Sequence, residues 1–162
     1  MPAGTLKPFW GQKTFCVLTG ASQGIGRRFA IEFGKNFGAE SVLLLLARNA
    51  QGLEETKKLV LEANSSLKVF CTPIDLGKAN AEFFKSVLED GLTKAEATPV
   101  DFQLAFIVHN AGSLGNVGPS VADMNDVVQW TEFLALNVTS TAVLNSEFLK
   151  VCFKSNCIES VF

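Results

Sequence analysis

Residues Thr19 to Gly26 read TGASQGIG, directly behind the apolar run Phe15-Cys16-Val17-Leu18 and directly ahead of a helical pattern. A strand that breaks at a glycine-rich turn and re-enters a helix gathers several backbone N–H groups, and the positive end of the helix dipole, around one point. That point suits a phosphate. In such a turn Gly20, Gly24 and Gly26 divide three tasks: the tight bend, the approach of backbone to a pyrophosphate, and the close packing of helix on strand. Ala21, Ser22, Gln23 and Ile25 lie between those glycines. The spacing is G-x-x-x-G-x-G, not the commoner G-x-G-x-x-G. Its weight comes from its place in the first βα turn, where an α/β sheet would use it. A turn that serves only strand–helix packing is the competing reading. The absence of Gly-Lys-Ser/Thr argues against a P-loop.

The remainder of the chain alternates short apolar runs with amphipathic segments. Thr14–Thr19, Ser41–Ala47, Leu67–Cys71 and Phe102–His109 read as strands, and their continuous apolarity implies burial on both faces of a parallel sheet. Between them Ile25, Phe29, Phe33 and Phe37 recur every four residues. Leu53, Thr56, Leu59, Val60 and Ala63 make a second helical stripe, and Phe83, Phe84, Val87, Leu88 and Leu92 a third. Right-handed crossovers in a βαβαβαβα order predict an α/β fold with a doubly wound, Rossmann-type parallel sheet. The 162 residues are expected to form a single domain.

The segment Asn137–Phe153 carries two apolar faces. Val138, Ala142, Leu149 and Cys152 mark one; Thr141, Leu144, Phe148 and Val151 mark the other. A helix apolar on two sides is covered on two sides, by the fold or by another subunit. Beyond it, Cys157-Ile158-Glu159-Ser160-Val161-Phe162 looks like the opening of a fifth strand. A domain seldom stops inside such a strand, so the expectation is a domain incomplete at its C-terminus.

Charge and composition narrow the function classes. Fourteen basic and 16 acidic residues give a net charge of −2 with no basic run, which argues against a nucleic-acid or anionic-membrane surface. The longest apolar run, Val42–Ala47, is far short of the ~20 residues of a membrane span. The first residues lack the apolar core of a secretory signal, so a cytoplasmic location is expected. Cys16, Cys71, Cys152 and Cys157 show no CxxC spacing and read as reduced thiols, with no metal site.

Further candidate residues fall at strand ends. Arg48 and Asn49 follow the second strand, about 20 residues beyond the glycines, at the tip that faces the adenosine ribose in dinucleotide folds. An acid there holds the 2′-hydroxyl of NAD; a cation accommodates the 2′-phosphate of NADP. Arg48 is of the second kind, its guanidinium matching phosphate through paired donors, although a solvated arginine is the alternative. Asp75 and Leu76 follow the third strand, where a carboxylate and adjacent N–H can bond an adenine edge. Asp75 capping the next helix explains the residue equally well. Asn110, Ala111 and Gly112 close the fourth strand with small residues that let backbone lie against a ribose, Asn110 bracing the turn. His109, the one histidine, is expected to be packed or hydrogen-bonded within that strand.

Taken together, TGASQGIG, Arg48, Asp75-Leu76, Asn110-Ala111-Gly112 and Asn137 resemble the short-chain dehydrogenase/reductase family, in its order and at its spacings. The runs SVLLLLARN, NAGSLGNV and LNVTS are similar to the branch that reduces pterin side-chain carbonyls with NADPH. The resemblance implies NADP(H) as cofactor, bound by Gly20 through Gly26, Arg48, Asn49, Asp75, Leu76 and Asn110 through Gly112. It implies Asn137 as the asparagine that organises a proton relay, a pterin-like carbonyl substrate, and a homodimer formed through the helix Asn137–Phe153. Two departures stand out. Gln23 occupies a place where that branch typically carries arginine, so NADPH selectivity falls more heavily on Arg48. The family's catalytic serine and its Tyr-x-x-x-Lys pair lie beyond the fifth strand, and the chain contains no tyrosine at all. Hydride transfer to a carbonyl needs an acid for the forming alkoxide, so these residues alone are expected to be inactive. Two alternatives stay open: a non-catalytic nucleotide-binding or interaction module, and a reductase of other aldehydes or diketones.

Overall fold

The computed structural model describes residues 9–116, 118, 120, 123 and 125–153. Strands β1 (Thr14–Thr19), β2 (Val42–Ala47), β3 (Lys68–Pro73) and β4 (Leu104–Val108) form one parallel sheet in the order β3-β2-β1-β4. Cys16 lies opposite Leu43 on one side and Phe106 on the other. Successive residues of a strand face opposite ways. Phe15, Val17, Val42, Leu44 and Leu46 therefore pack under helices α3 (Ala81–Lys94) and α5 (Ser140–Cys152). Cys16, Leu18, Leu43 and Leu45 pack under α1 (Gly24–Asn36) and α2 (Ala50–Ala63). Both faces are covered, which is why β1 and β2 tolerate no polar alternation. The doubly wound sheet is as the strand pattern predicts. Its order reverses between β1 and β4, the switch point outside which open α/β sheets bind ligands.

Strand ends differ from the sequence reading in a consistent way. Leu67 precedes β3, which runs on to Pro73; Phe102 and Gln103 precede β4, which stops at Val108. β4 is half-buried along its whole length, not buried on both faces, because it is an edge strand among the described residues. The expected fifth strand at Cys157–Phe162 lies outside the described residues.

In α1 the four-residue aromatic spacing is real, but its sheet-facing side is one position removed. Gly26, Ala30 and Gly34 are the buried residues, while Ile25 is 69% exposed. A side chain at Gly34 would meet Val60 Cγ1 at 2.9 Å, so small residues bring α1 close to its neighbours and displace the phenylalanines to the flank. There Phe29, Phe33 and Phe37 stack in sequence at 5.8 and 5.3 Å between centroids. Phe106 of β4 meets Phe33 edge-on at 5.6 Å. In α2, Leu53, Thr56 and Val60 are buried as the stripe predicts, but Leu59 and Ala63 are exposed.

The last helical run begins ten residues before Asn137. Asp126 caps it, Oδ1 accepting from Val128 N at 2.8 Å, and α4 (Val127–Leu134) leads through a π-helical turn at Ala135–Thr139 into α5. One face of α5, with Leu144, Phe148 and Val151, packs on α3 and the sheet as the pattern predicts. Cys152 belongs to this packed side too, not to the opposite face as the pattern suggested. Val138 and Leu149 remain about half exposed.

Neighbouring phenylalanines in α3 separate burial from composition. Phe84 is fully buried, whereas Phe83 is 45% exposed. Phe84→Ala is expected to cost about 3–5 kcal/mol, and Phe83→Ala about 1 kcal/mol or less, read from urea unfolding midpoints. Equal losses would contradict the packing described here.

Candidate functional site

The glycine turn is held closed by contacts between the first and last strands. Gly20 has φ +68°, a left-handed conformation that favours glycine, and its N–H donates to Leu46 O at 2.8 Å. Gly26 packs so close behind it that a Cβ there would overlap the Gly20 carbonyl oxygen and fall 2.6 Å from Asn110 Nδ2. Asn110 Nδ2 donates to Thr19 O at 3.1 Å and to Gly20 O at 3.2 Å. The N–H groups of Asn110 and Ala111 both donate to Thr19 Oγ1 at 3.0 Å. One threonine and one asparagine thus join the ends of β1 and β4 at the switch point.

From the other side, α1 and α2 grip the turn together. Arg27 Nη2 donates to Ser22 O at 2.5 Å and pairs with Glu55 at 3.0 Å, while Nε donates to Thr56 Oγ1 at 3.0 Å. Thr56 Oγ1 lies 2.9 Å from Ala21 O. Asn49 caps α2, its side chain accepting from Gly52 N at 2.9 Å.

These contacts leave a cleft of about 410 Å³ over the C-terminal ends of the strands. Of the residues singled out by sequence, Gly20, Ser22, Gln23, Gly24, Ile25, Arg48, Asn49, Leu76, Asn110, Ala111 and Gly112 line it together. Four do not. Ala21 is fully buried beneath the turn, and Gly26 is the buried packing partner of Gly20. Asp75 turns to Gly77 N at 3.2 Å and toward Lys78, facing an adjoining depression that shares Arg48 and Leu136 with the cleft. Asp75 does not cap the next helix: Asn80 does, accepting from Phe83 N at 2.8 Å. Asn137 lies in the π-helical turn, behind Gly112. Its Oδ1 accepts from Ser113 N at 3.0 Å, and its Nδ2 donates to Ser113 O at 3.0 Å and to Phe133 O at 2.9 Å. In the same turn Ser140 N reaches back to Ala135 O, and Leu136 O is met by Ser140 Oγ at 2.6 Å.

Arg48 is exposed and has no hydrogen-bond or ion-pair partner among the described residues. No acid shares the β2 tip, so a free cation stands at one end of a cleft lined with turn backbone. The sequence reading missed Thr19, Arg27, Thr56 and Leu136. Thr56 was visible only as a polar intruder in an apolar stripe. Arg27 looked like an ordinary helix-surface cation.

His109 sits one residue past β4, half-buried, and not inside the strand. A side-chain hydrogen bond with Asn145 favours its charged form, but burial outweighs it and holds its pKa below the usual histidine range. Its Nε2 is buried without a partner among the described residues, so there the expected hydrogen-bonded histidine is satisfied on one side only. Burial pushes the Cys16 thiol well up and raises Cys71 and Cys152 to about 12. These three are free thiols, and the described residues contain no group able to hold a metal ion. No helix among them is long and apolar enough to cross a membrane.

A Rossmann-type sheet with its glycine cleft at the β1/β4 switch point defines a class, and the short chain dehydrogenase family model matches residues 14–156. The chain belongs to that family. Among relatives it is similar to sepiapterin reductase from Bos taurus, 34% identical over 138 residues, 85% of this chain and 50% of the relative. It is also similar to the crystal structure of a short chain dehydrogenase from Salmonella enterica subsp. enterica serovar Typhi str. CT18. That similarity has a TM-score of 0.71 and 27% identity, over 93% of this chain and 58% of that one. A metagenomic short-chain oxidoreductase in complex with NADP shares the fold at a TM-score of 0.68 and 22% identity, over 86% of this chain and 56% of that one. The chain spans about half the length of the curated relatives it matches.

Because burial depresses the pKa of His109, the unfolded chain takes up a proton near its ordinary value, about 6.5, that the folded chain refuses. Stability contributed by the neutral ring is therefore present above that value and is lost as pH falls through it. Urea midpoints compared between about pH 7.5 and about pH 5.5 are expected to drop more for the native chain than for His109→Asn. Equal drops would show that His109 titrates freely.

Proposed function

We propose that this chain is the dinucleotide-binding part, over residues 1–162, of an NADPH-dependent carbonyl reductase of sepiapterin reductase type. Such an enzyme reduces pterin side-chain carbonyls in the formation of tetrahydrobiopterin. The observation that carries the reading is the unpaired Arg48 at the β2 tip, opening onto the same cleft as the Gly20–Gly26 turn. Its guanidinium suits a 2′-phosphate, and the β2 tip itself, Ala47-Arg48-Asn49, carries no acid for a 2′-hydroxyl. The turn has donors to offer a phosphate: the N–H groups of Ser22 and Gln23 meet no protein acceptor among the described residues, and both residues line the cleft. A Cβ at Gly20 would fall 2.7 Å from Asn110 Nδ2, so glycine there lets the turn close against the end of β4.

In this reading the free N–H groups of the turn hold the pyrophosphate, Arg48 the 2′-phosphate, and Asn49, Asp75 and Leu76 the adenosine end. Asn110, Ala111 and Gly112 flank the nicotinamide ribose. The bound cofactor supplies a hydride to a carbonyl carbon. Asn137 acts here by position: its amide locks Ser113, and so the loop leaving Gly112, against the π-helical turn. A general acid for the alkoxide is lacking in a chain without tyrosine. Homodimerisation through the helical run ending at Phe153, no nucleic-acid or membrane partner, and a cytoplasmic location complete the proposal. A second reading of the same cleft is a non-catalytic nucleotide-binding module. Both readings share the cleft and separate on activity.

The 162-residue chain is expected to show no sepiapterin-dependent oxidation of NADPH. Loss of a general acid alone costs about 10²–10⁴-fold. Turnover above a control without protein would overturn this. Cofactor choice is tested by titration: the chain should prefer NADPH to NADH, and Arg48→Asp should erase or reverse that preference. A charge-assisted contact of about 1.5–3 kcal/mol corresponds to about 10- to 150-fold in affinity. An Arg48→Asp chain with unchanged NADPH affinity would place the 2′-phosphate elsewhere.

A further inference from the structure

Arg27 is a cation beside the candidate phosphate cleft that does not face it. Its guanidinium runs beneath the glycine turn to α2. Nη2 shares its two protons among Ser22 O at 2.5 Å, Gly52 O at 3.3 Å and the Glu55 carboxylate at 3.0 Å; Nε donates to Thr56 Oγ1 at 3.0 Å. Thr56, having accepted from Arg27, has one proton to give, with Ala21 O and Gly52 O each at 2.9 Å. Ser22 O is therefore held by Arg27, and Ala21 O shares the Thr56 proton with Gly52 O, both on the side where α2 packs.

A trans peptide points its C=O and the following N–H in opposite directions. Fixing Ala21 O and Ser22 O toward α2 therefore aims the N–H groups of Ser22 and Gln23 the other way. Neither N–H meets a protein acceptor among the described residues, and both residues line the cleft beside Arg48 and Asn49. Glu55 balances the Arg27 charge, so Arg27 serves as a brace and Arg48 remains the available cation. A lysine could keep the pairing with Glu55. It could not span Ser22 O, Gly52 O and Thr56 at once, because that takes a planar fork of donors.

We infer that Arg27 is a positioning residue for the adenosine-phosphate end of the dinucleotide: by holding the Ser22 carbonyl from beneath, it orients the free N–H donors of the turn toward an anionic phosphoester it never touches. This rests on the proposed dinucleotide site. The same geometry makes Gly52 a necessary partner, since a Cβ there would fall 2.8 Å from Ser22 O and push the turn off its brace.

The test titrates the 162-residue chain and its variants with 2′,5′-ADP and with NADPH, following folded fraction by circular dichroism. The native chain is expected to bind both probes. R27M should weaken both by about tenfold or more, R27K should fall between, and E55Q should stay within about twofold of native. The losses should persist when trimethylamine N-oxide restores the melting temperature; losses that vanish with it would mark Arg27 as merely structural and overturn the inference. Native affinity in folded R27K or R27M would overturn it, as would an E55Q loss equal to that of R27M or R27K. If R27M does not fold, R27K against E55Q decides. A native chain that binds neither probe removes the dinucleotide reading and this inference with it; a binding native chain with unaffected R27K removes the inference alone.

Discussion

The close approach of Gly26 to the carbonyl of Gly20 governs the geometry of this molecule. No side chain fits between them, so α1 starts directly against the end of β1, and the turn has one way to fold. Asn110 then reaches across from the end of β4 and satisfies both Thr19 O and Gly20 O. A buried carbonyl left without a donor costs about 1–3 kcal/mol, so the amide both closes the turn and fixes β4 in register with β1. The helix entry, the β1–β4 junction and the floor of the cleft follow from this contact.

Around that contact the site is built largely from backbone, with side chains as braces. Thr19 collects two N–H groups from the β4 end, Arg27 and Thr56 collect carbonyls from the turn, and Asn137 collects both polar groups of Ser113. The Arg27 brace leaves the opposite side of the Ser22–Gln23 peptide facing the cleft. Bracing of this kind fixes the turn backbone in place, and preorganisation lowers the entropy that any binding must overcome. Arg48 is the exception, exposed at the β2 tip with no partner among the described residues.

The helical run from Val127 to Cys152 links the site to the core. Its π-helical turn shifts the hydrogen-bond register by one residue, bringing Asn137 under Gly112 while α5 keeps Leu144 and Phe148 packed on α3 and the sheet. The uncovered side carries Val138 and Leu149, the remnant of the second apolar face. On the opposite sheet face, Phe29, Phe33, Phe37 and Phe106 form an aromatic flank, because the glycines of α1 hold the helix too close for phenylalanine to lie beneath it.

Sequence alone determined the elements whose signal is local. Continuous apolar runs marked β1 and β2, since burial on both faces forbids alternation, and TGASQGIG marked the turn, since few residues other than glycine adopt its bend. Arg48 and Asn110 were legible because a strand end fixes where a side chain can act. Tertiary structure decided the rest. The period of α1 was clear, but which side meets the sheet depended on how closely two glycines let it approach. Phe83 and Phe84 are identical as letters and opposite in burial because α3 has only one face toward β2. Asp75 lost its helix-capping role to Asn80 because the loop turns back through Gly77 and Lys78 before α3 begins. Arg27 and Thr56, 29 positions apart in the sequence, acquire their common purpose when α1 and α2 pack side by side. No pattern within either helix carries information about the carbonyls of a turn that both happen to reach.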